Sequence, residues 1–148
     1  MNEDLSMSRT LALGFLLITR LTFAASGRVD ATDQRLSASD GWLLPAAAAG
    51  EANPIAPTPS IVAKGKDLYK SKCQRCHGVT GKGNGPDADR DHPPGNLTDG
   101  SRASRNPDGV MFYKVWNGRA KPKMPTFKTD LSREDVWTVI HYVKTLRQ

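Results

Sequence analysis

Apolar positions recur with helical spacing in three stretches of this 148-residue chain, and no stretch alternates as a half-buried strand would. The first covers residues 61–72. Ser60 is placed to cap it, and Leu68 and Tyr69 fall on one side, a turn after Gly65. Glycine is a poor helix former, so Gly65 points to close approach by another helix. The second helix is predicted with Asn106 as cap, Pro107 in the first position and Asp108 in the first turn. Val110, Met111, Tyr113 and Val115 continue it, and Gly118 ends it. The third follows Ser132, with Asp135 completing a capping box and Leu131 and Val136 forming a staple. Val136, Ile140 and Val143 share one of its faces, with Val139 and Tyr142 beside it. Residues 78–105 hold no pattern and are rich in Gly, Pro, Asn, Asp and Ser. A structureless stretch of that length counts against a compact domain unless something large orders it. The expected architecture is a small all-α domain of three to five helices with long loops.

Ahead of these helices the chain changes character. Arg9 precedes a short apolar run, Leu11 to Ile18, and the small residues Ala24, Ala25 and Ser26 follow. That run is too short to span a bilayer, so residues 1–25 read as an export signal, with an uncleaved membrane anchor as the alternative. Residues 26–59 read as an Ala/Pro-rich linker, because Pro45 to Gly50 and Asn53 to Pro59 resist regular structure. Trp42-Leu43-Leu44 stands out within it as an apolar trio able to dock on the domain or on a partner. Residues 60–148 then form the folded domain.

Composition narrows the class. Hydrophobic residues make up 38% of the chain and the mean hydropathy is −0.50, which suits a soluble protein. The net charge is +6, and residues 60–148 alone carry 17 Lys and Arg against 9 Asp and Glu, a net +8. Such a surface steers acidic partners, and nucleic acid is the rival partner that an exported protein would not meet.

The candidate chemistry sits in Cys73-Gln74-Arg75-Cys76-His77. Two thiols three positions apart, followed at once by an imidazole, form the attachment pattern of haem c. The thiols add to the two haem vinyl groups as thioethers, and His77 becomes the proximal ligand of the iron. Other uses of the thiols are a disulfide, a redox dithiol or half a zinc site. Zinc would need four ligands, and only His92 and His141 remain besides His77. Met124, a bare apolar residue between Lys121-Pro122-Lys123 and Pro125, is the candidate for the opposite axial position; Met111 lies mid-helix, where packing explains it. His92 is the rival distal ligand and reads as a solvated loop residue, and His141 reads as surface or rim.

These pieces occur in an order that resembles the class I monohaem cytochromes c of bacteria. Gly65 and Tyr69 come first, then the Cys73 to Gly78 motif, Gly81-Lys82-Gly83-Asn84-Gly85-Pro86, Pro93-Pro94-Gly95-Asn96-Leu97, Asn117-Gly118, Met124-Pro125-Thr126-Phe127 and a closing helix with Val139 and Tyr142. The resemblance covers about three-fifths of the chain, residues 61–148. It implies first and last helices that cross through the glycine and an aromatic, with the long loops wrapped around one covalent haem c. It also implies a backbone carbonyl near Pro93, Pro94 or Gly95 that accepts a hydrogen bond from His77. Trp116 and Arg119 are candidates for contact with the haem propionates, with a solvent-facing Arg119 as the equal alternative.

The function this implies is electron transfer rather than catalysis. Protein ligands on both sides of an iron leave no open site for substrate, and methionine sulfur with an apolar shell favours the ferrous form. Lys66, Lys70, Lys72, Arg75, Lys82, Lys121 and Lys123 are the candidate ring of charge around the exposed haem edge. The expected role is a periplasmic carrier passing one electron from a dehydrogenase or quinol-oxidising complex to a terminal oxidase or reductase. The alternatives are a dedicated cytochrome subunit of such an enzyme, or a haem peroxidase-type enzyme.

Overall fold

A computed structural model of the chain describes residues 37–39 and 42–147; the expected export segment lies outside them. Four helices carry the domain: α1 (Pro59–Lys72), α2 (Gln74–His77), α3 (Asp108–Asn117) and α4 (Arg133–Thr145). Among the described residues no helix is long and apolar enough to cross a membrane.

Helix α1 starts earlier than its sequence signals suggested. Thr58 rather than Ser60 is the cap, its hydroxyl accepting from the Ile61 amide at 3.3 Å, and Pro59 opens the helix. A proline there costs nothing, since its missing N–H would have been an orphan donor. Helix α3 instead starts one residue later than expected. Pro107 itself is the cap, and the Asn106 side chain is engaged elsewhere, donating to the Arg102 carbonyl at 2.8 Å and accepting from Lys114 Nζ at 2.6 Å. Helix α4 begins as expected, with both halves of the Ser132–Asp135 capping box formed. Lys64 adds an ion pair to Asp135 at 2.9 Å, and these two partners hold the Asp135 carboxyl below the usual carboxylate range.

Helices α1 and α4 cross at Gly65. A Cβ on Gly65 would lie 2.5 Å from the Thr138 carbonyl oxygen and 3.0 Å from Tyr142 Cβ, so only hydrogen fits between the two backbones. One turn on, the Tyr69 and Tyr142 rings meet at 5.2 Å. The opposite side of α4 packs on α3 and the loop after it. Phe112, Phe127, Leu131, Val136, Trp137 and Ile140 make a buried cluster, with Phe112 and Trp137 stacked at 4.2 Å.

From Trp42 onward, the stretch expected to be a linker is packed against the helices, and its described part contains strand where none was predicted. Strands β1 (Ser37–Ser39) and β2 (Trp42–Leu44) pair antiparallel, with Ser37 opposite Leu44 and Ser39 opposite Trp42. A 3-10 turn follows at Ala46–Gly50. Trp42, Leu44 and Ala48 are buried against Val110 of α3. Further along, Asn53 donates to the Trp137 carbonyl at 2.9 Å, and the Ile55 carbonyl lies 2.7 Å from His141 Nε2. His141 is therefore buried beneath this segment, not at a surface or rim. The strands escaped the sequence pattern because each is three residues long, below the length at which alternation shows.

Candidate haem site

Helix α2 is a single turn that places Cys73, as its cap, and His77, as its last residue, on the wall of a cavity of about 730 Å³. That volume lies within the range of small-molecule and cofactor pockets. Its last carbonyls would be orphans in isolation. The long Gly-rich loop satisfies them: Asp87 donates to the Arg75 carbonyl at 2.8 Å, Gly85 to that of Cys76 at 3.1 Å and Gly83 to that of His77 at 2.8 Å. Tyr69 adds a buried hydrogen bond from its hydroxyl to the Gly78 carbonyl at 2.7 Å. The loop is thus ordered in part by its own backbone bonds to the attachment helix.

The loop carrying Met124 is fixed by the same logic at the other end of the fold. Gly118 ends α3 with φ +61°, and a side chain there would collide with the Met124 carbonyl. Arg119 and Met124 then pair as an antiparallel bridge, with N–H···O distances of 2.8 and 3.0 Å. The Phe127 amide donates to the Val115 carbonyl at 3.2 Å, and the Thr126 hydroxyl to the Trp116 carbonyl at 2.7 Å. The free carbonyls at the end of α3 thereby hold the loop, and Met124 lines the same cavity as His77.

Burial pushes the His77 pKa below its ordinary value, and the Gly95 backbone opposes that shift. The imidazole is therefore neutral near pH 7, the form that can donate a lone pair to a metal. Its Nδ1 is buried and makes no hydrogen bond of regular geometry, although Gly95 is its polar neighbour and lines the cavity with Pro93 and Pro94. The two cysteines are free thiols, each half-buried. Burial, and secondarily Cys76, push the Cys73 thiol up to about 12. A thiol held protonated in that way is a poor metal ligand and a poor redox nucleophile. Cys76 Sγ lies 3.8 Å from the Asp87 carbonyl oxygen and does not line the cavity. Among the described residues no three His, Cys, Asp or Glu side chains cluster as a metal site would require.

The other candidates separate cleanly. His92 is exposed beside Asp89, at 3.8 Å, and is far from any axial role. Trp116 stacks on Phe112 and does not reach the cavity. Arg119 does line it, joined by Arg102, Arg105, Lys114 and Arg147, which pattern reading had not singled out. Asp99 is the lone acidic residue on that wall. Cationic side chains scattered over a polar loop and two helix ends leave no local signature; only their convergence reveals them. An apolar cavity with a neutral imidazole, a thioether and a cationic rim suits a large planar group bearing carboxylates. The residues present therefore fit a haem.

A small, mainly helical fold and this site define a haem-based electron-transfer protein of the c type. Residues 62–147 match the sequence model of the family described as Cytochrome c, and the chain belongs to that family. Among solved structures, it is similar to a chain of the Kuenenia stuttgartiensis reducing HAO-like protein complex Kustc0457/Kustc0458, with 33% identity and a TM-score of 0.56. That alignment covers 64% of this chain and 47% of the other, so this chain spans about half the length of that relative. It is also similar to the KustC0563 c-type cytochrome, with 26% identity, a TM-score of 0.50, and coverage of 57% of this chain and 98% of that one. No curated protein matches the chain.

Proposed function

We propose that this chain is a periplasmic electron carrier holding one haem c through thioethers from Cys73 and Cys76, with His77 and Met124 as axial ligands. The observation that carries the reading is the convergence of His77 and Met124 on one cavity, beside Cys73 of the attachment motif. The haem would supply a one-electron ferric/ferrous couple. The protein's part is to hold both ligands in place in either oxidation state, so that little rearrangement accompanies each electron. The Arg119–Met124 bridge does this on one side, and the bonds from the Gly-rich loop to α2 do it on the other. Arg102, Arg119 and Arg147 offer guanidinium partners for carboxylates. With His77 and Met124 both holding the iron, no position on it would be left for a substrate. The signal-like residues 1–25, and covalent haem attachment outside the cytoplasm in the family, support the periplasmic assignment.

Lys66, Lys70, Lys72, Lys82, Lys121 and Lys123 are exposed and suit docking of an acidic redox protein such as a dehydrogenase, a quinol-oxidising complex or a terminal reductase. Arg75 is engaged by Asp87 at 2.5 Å and contributes less free charge. The similarity to a chain of an HAO-like complex favours a second reading, in which this is a dedicated subunit of a larger redox enzyme.

The test is expression with the haem-attachment machinery, followed by acid–acetone extraction, mass measurement and optical spectra. The pigment is expected to stay with the protein and to add the mass of one haem. A low-spin ferric spectrum with a methionine-sulfur band, lost in Met124→Ala, is expected as well. Extractable pigment, or carbon monoxide binding to the reduced protein at neutral pH, would overturn the carrier reading. Recovery with a partner after mild-salt purification would select the subunit.

A further inference from the structure

Trp42 lies outside the matched family region, 62–147, yet its side chain lines the cavity together with Met124. It is 8% exposed, in a segment that composition alone marks as a tether. Two contacts join it to the methionine loop. Met124 packs directly against the cluster of Trp42, Leu44, Ala48 and Val110. The Arg119 guanidinium sits 4.2 Å from the centre of the Trp42 ring, and the Arg119 backbone is the partner of Met124 in the bridge. Lys114 Nζ approaches the same ring at 5.3 Å. The indole is thus a shared surface for two cations, and it belongs to the cluster on which the thioether side chain packs. A cation over an indole face is among the stronger non-bonded contacts when desolvated.

The geometry points to Trp42 as a positioning residue for Met124: the segment preceding the cytochrome domain is a built-in strap that holds the sixth ligand closed. The inference rests on the proposed axial role of Met124. Direct packing restricts the methionine side chain. The guanidinium stack restricts the Arg119 side chain, and through the backbone bridge the turn that presents Met124. The strap itself is anchored on α4, by Asn53 on the Trp137 carbonyl at 2.9 Å and by the Ile55 carbonyl at His141. Loss of the indole should raise the fraction of molecules in which Met124 has swung away, and an exogenous ligand gains apparent affinity in proportion to that fraction.

The experiment titrates the oxidised holo-protein with imidazole and follows the methionine-sulfur band. Trp42→Ala is expected to bind imidazole about tenfold more tightly, the change that a contact of about 1.4 kcal/mol converts to. Trp42→Phe keeps an aromatic face and is expected to stay near the wild-type affinity. Leu131→Ala is the stability control: Leu131 is buried in the α3–α4 core and does not line the cavity. If Trp42→Ala fails to take up haem, Arg119→Met replaces it, since that change removes the guanidinium while leaving the backbone bridge possible; tighter imidazole binding is again expected. Unchanged affinity in the variant tested overturns the inference, and so does an equal gain in Leu131→Ala. Met124→Ala separates the two levels. If it raises imidazole affinity strongly while the strap variants do nothing, only the strap is wrong. If it changes neither band nor affinity, Met124 is not the ligand, and the site reading and the inference fall together.

Discussion

Replacing Gly65 by alanine sets two opposing effects against each other, and the structure says which wins. Alanine is the better helix former by about 1 kcal/mol, so in an exposed helix the change would stabilise. Here the new Cβ would stand 2.5 Å from the Thr138 carbonyl oxygen, whereas close carbon–oxygen contacts settle at about 3.3 Å. The neighbour is backbone, so no rotamer change can relieve the overlap. Helices α1 and α4 must part by roughly 0.8 Å, loosening the pair along its length. Overpacking of this kind costs typically about 1–3 kcal/mol, and it also forfeits dispersion contacts beside the crossing. Set against the propensity gain of about 1 kcal/mol, the net expectation is a destabilisation of up to about 2 kcal/mol, which in a domain of this size lowers Tm by up to roughly 15 °C. Thermal unfolding of holo-protein, monitored by far-UV circular dichroism, measures it. Tyr69 of α1 and Val139 and Ile140 of α4 line the cavity, so a small change in the haem spectrum should accompany the loss. An unchanged or raised Tm would refute the reasoning, because it would mean that the crossing has slack and propensity decides.

Two further outcomes follow from named contacts. Tyr69→Phe deletes the hydroxyl that serves the buried Gly78 carbonyl and should cost about 1–3 kcal/mol, read as a lower denaturant midpoint with unchanged slope; a midpoint equal to wild type would show that water reaches the carbonyl instead. The rate of electron exchange with an acidic redox protein should fall as ionic strength rises, because the lysines are exposed and their attraction is screened beyond a Debye length of about 10 Å at 0.1 M salt; a flat profile measured by stopped flow would rule out steering by that surface.

Several features were legible because their determining neighbours are close along the chain. Helix α4 is an example: its capping box needs only residues 132–135, and those residues form it. Gly65 is another, since a glycine amid helix formers already signals a crossing, and the cytochrome c type follows from five consecutive residues. The cap of α1 moved by two residues because Thr58-Pro59-Ser60 offers two hydroxyls and only the first leaves Pro59 in the slot it fits. Asn106 looked like a cap and became a tertiary ligand of Lys114, because a side chain with both donor and acceptor serves whichever partner arrives.

What the chain alone determined, then, is its helices and its family, both written in motifs a few residues long. What only the folded molecule decided is the docking of Trp42 over the Arg119–Met124 bridge, the burial of His141 under Ile55, and the gathering of five cationic side chains on one cavity wall. Those outcomes join residues up to 86 positions apart, as for Ile55 and His141. Such pairings depend on which surfaces meet once the helices have crossed, and no local propensity encodes that choice.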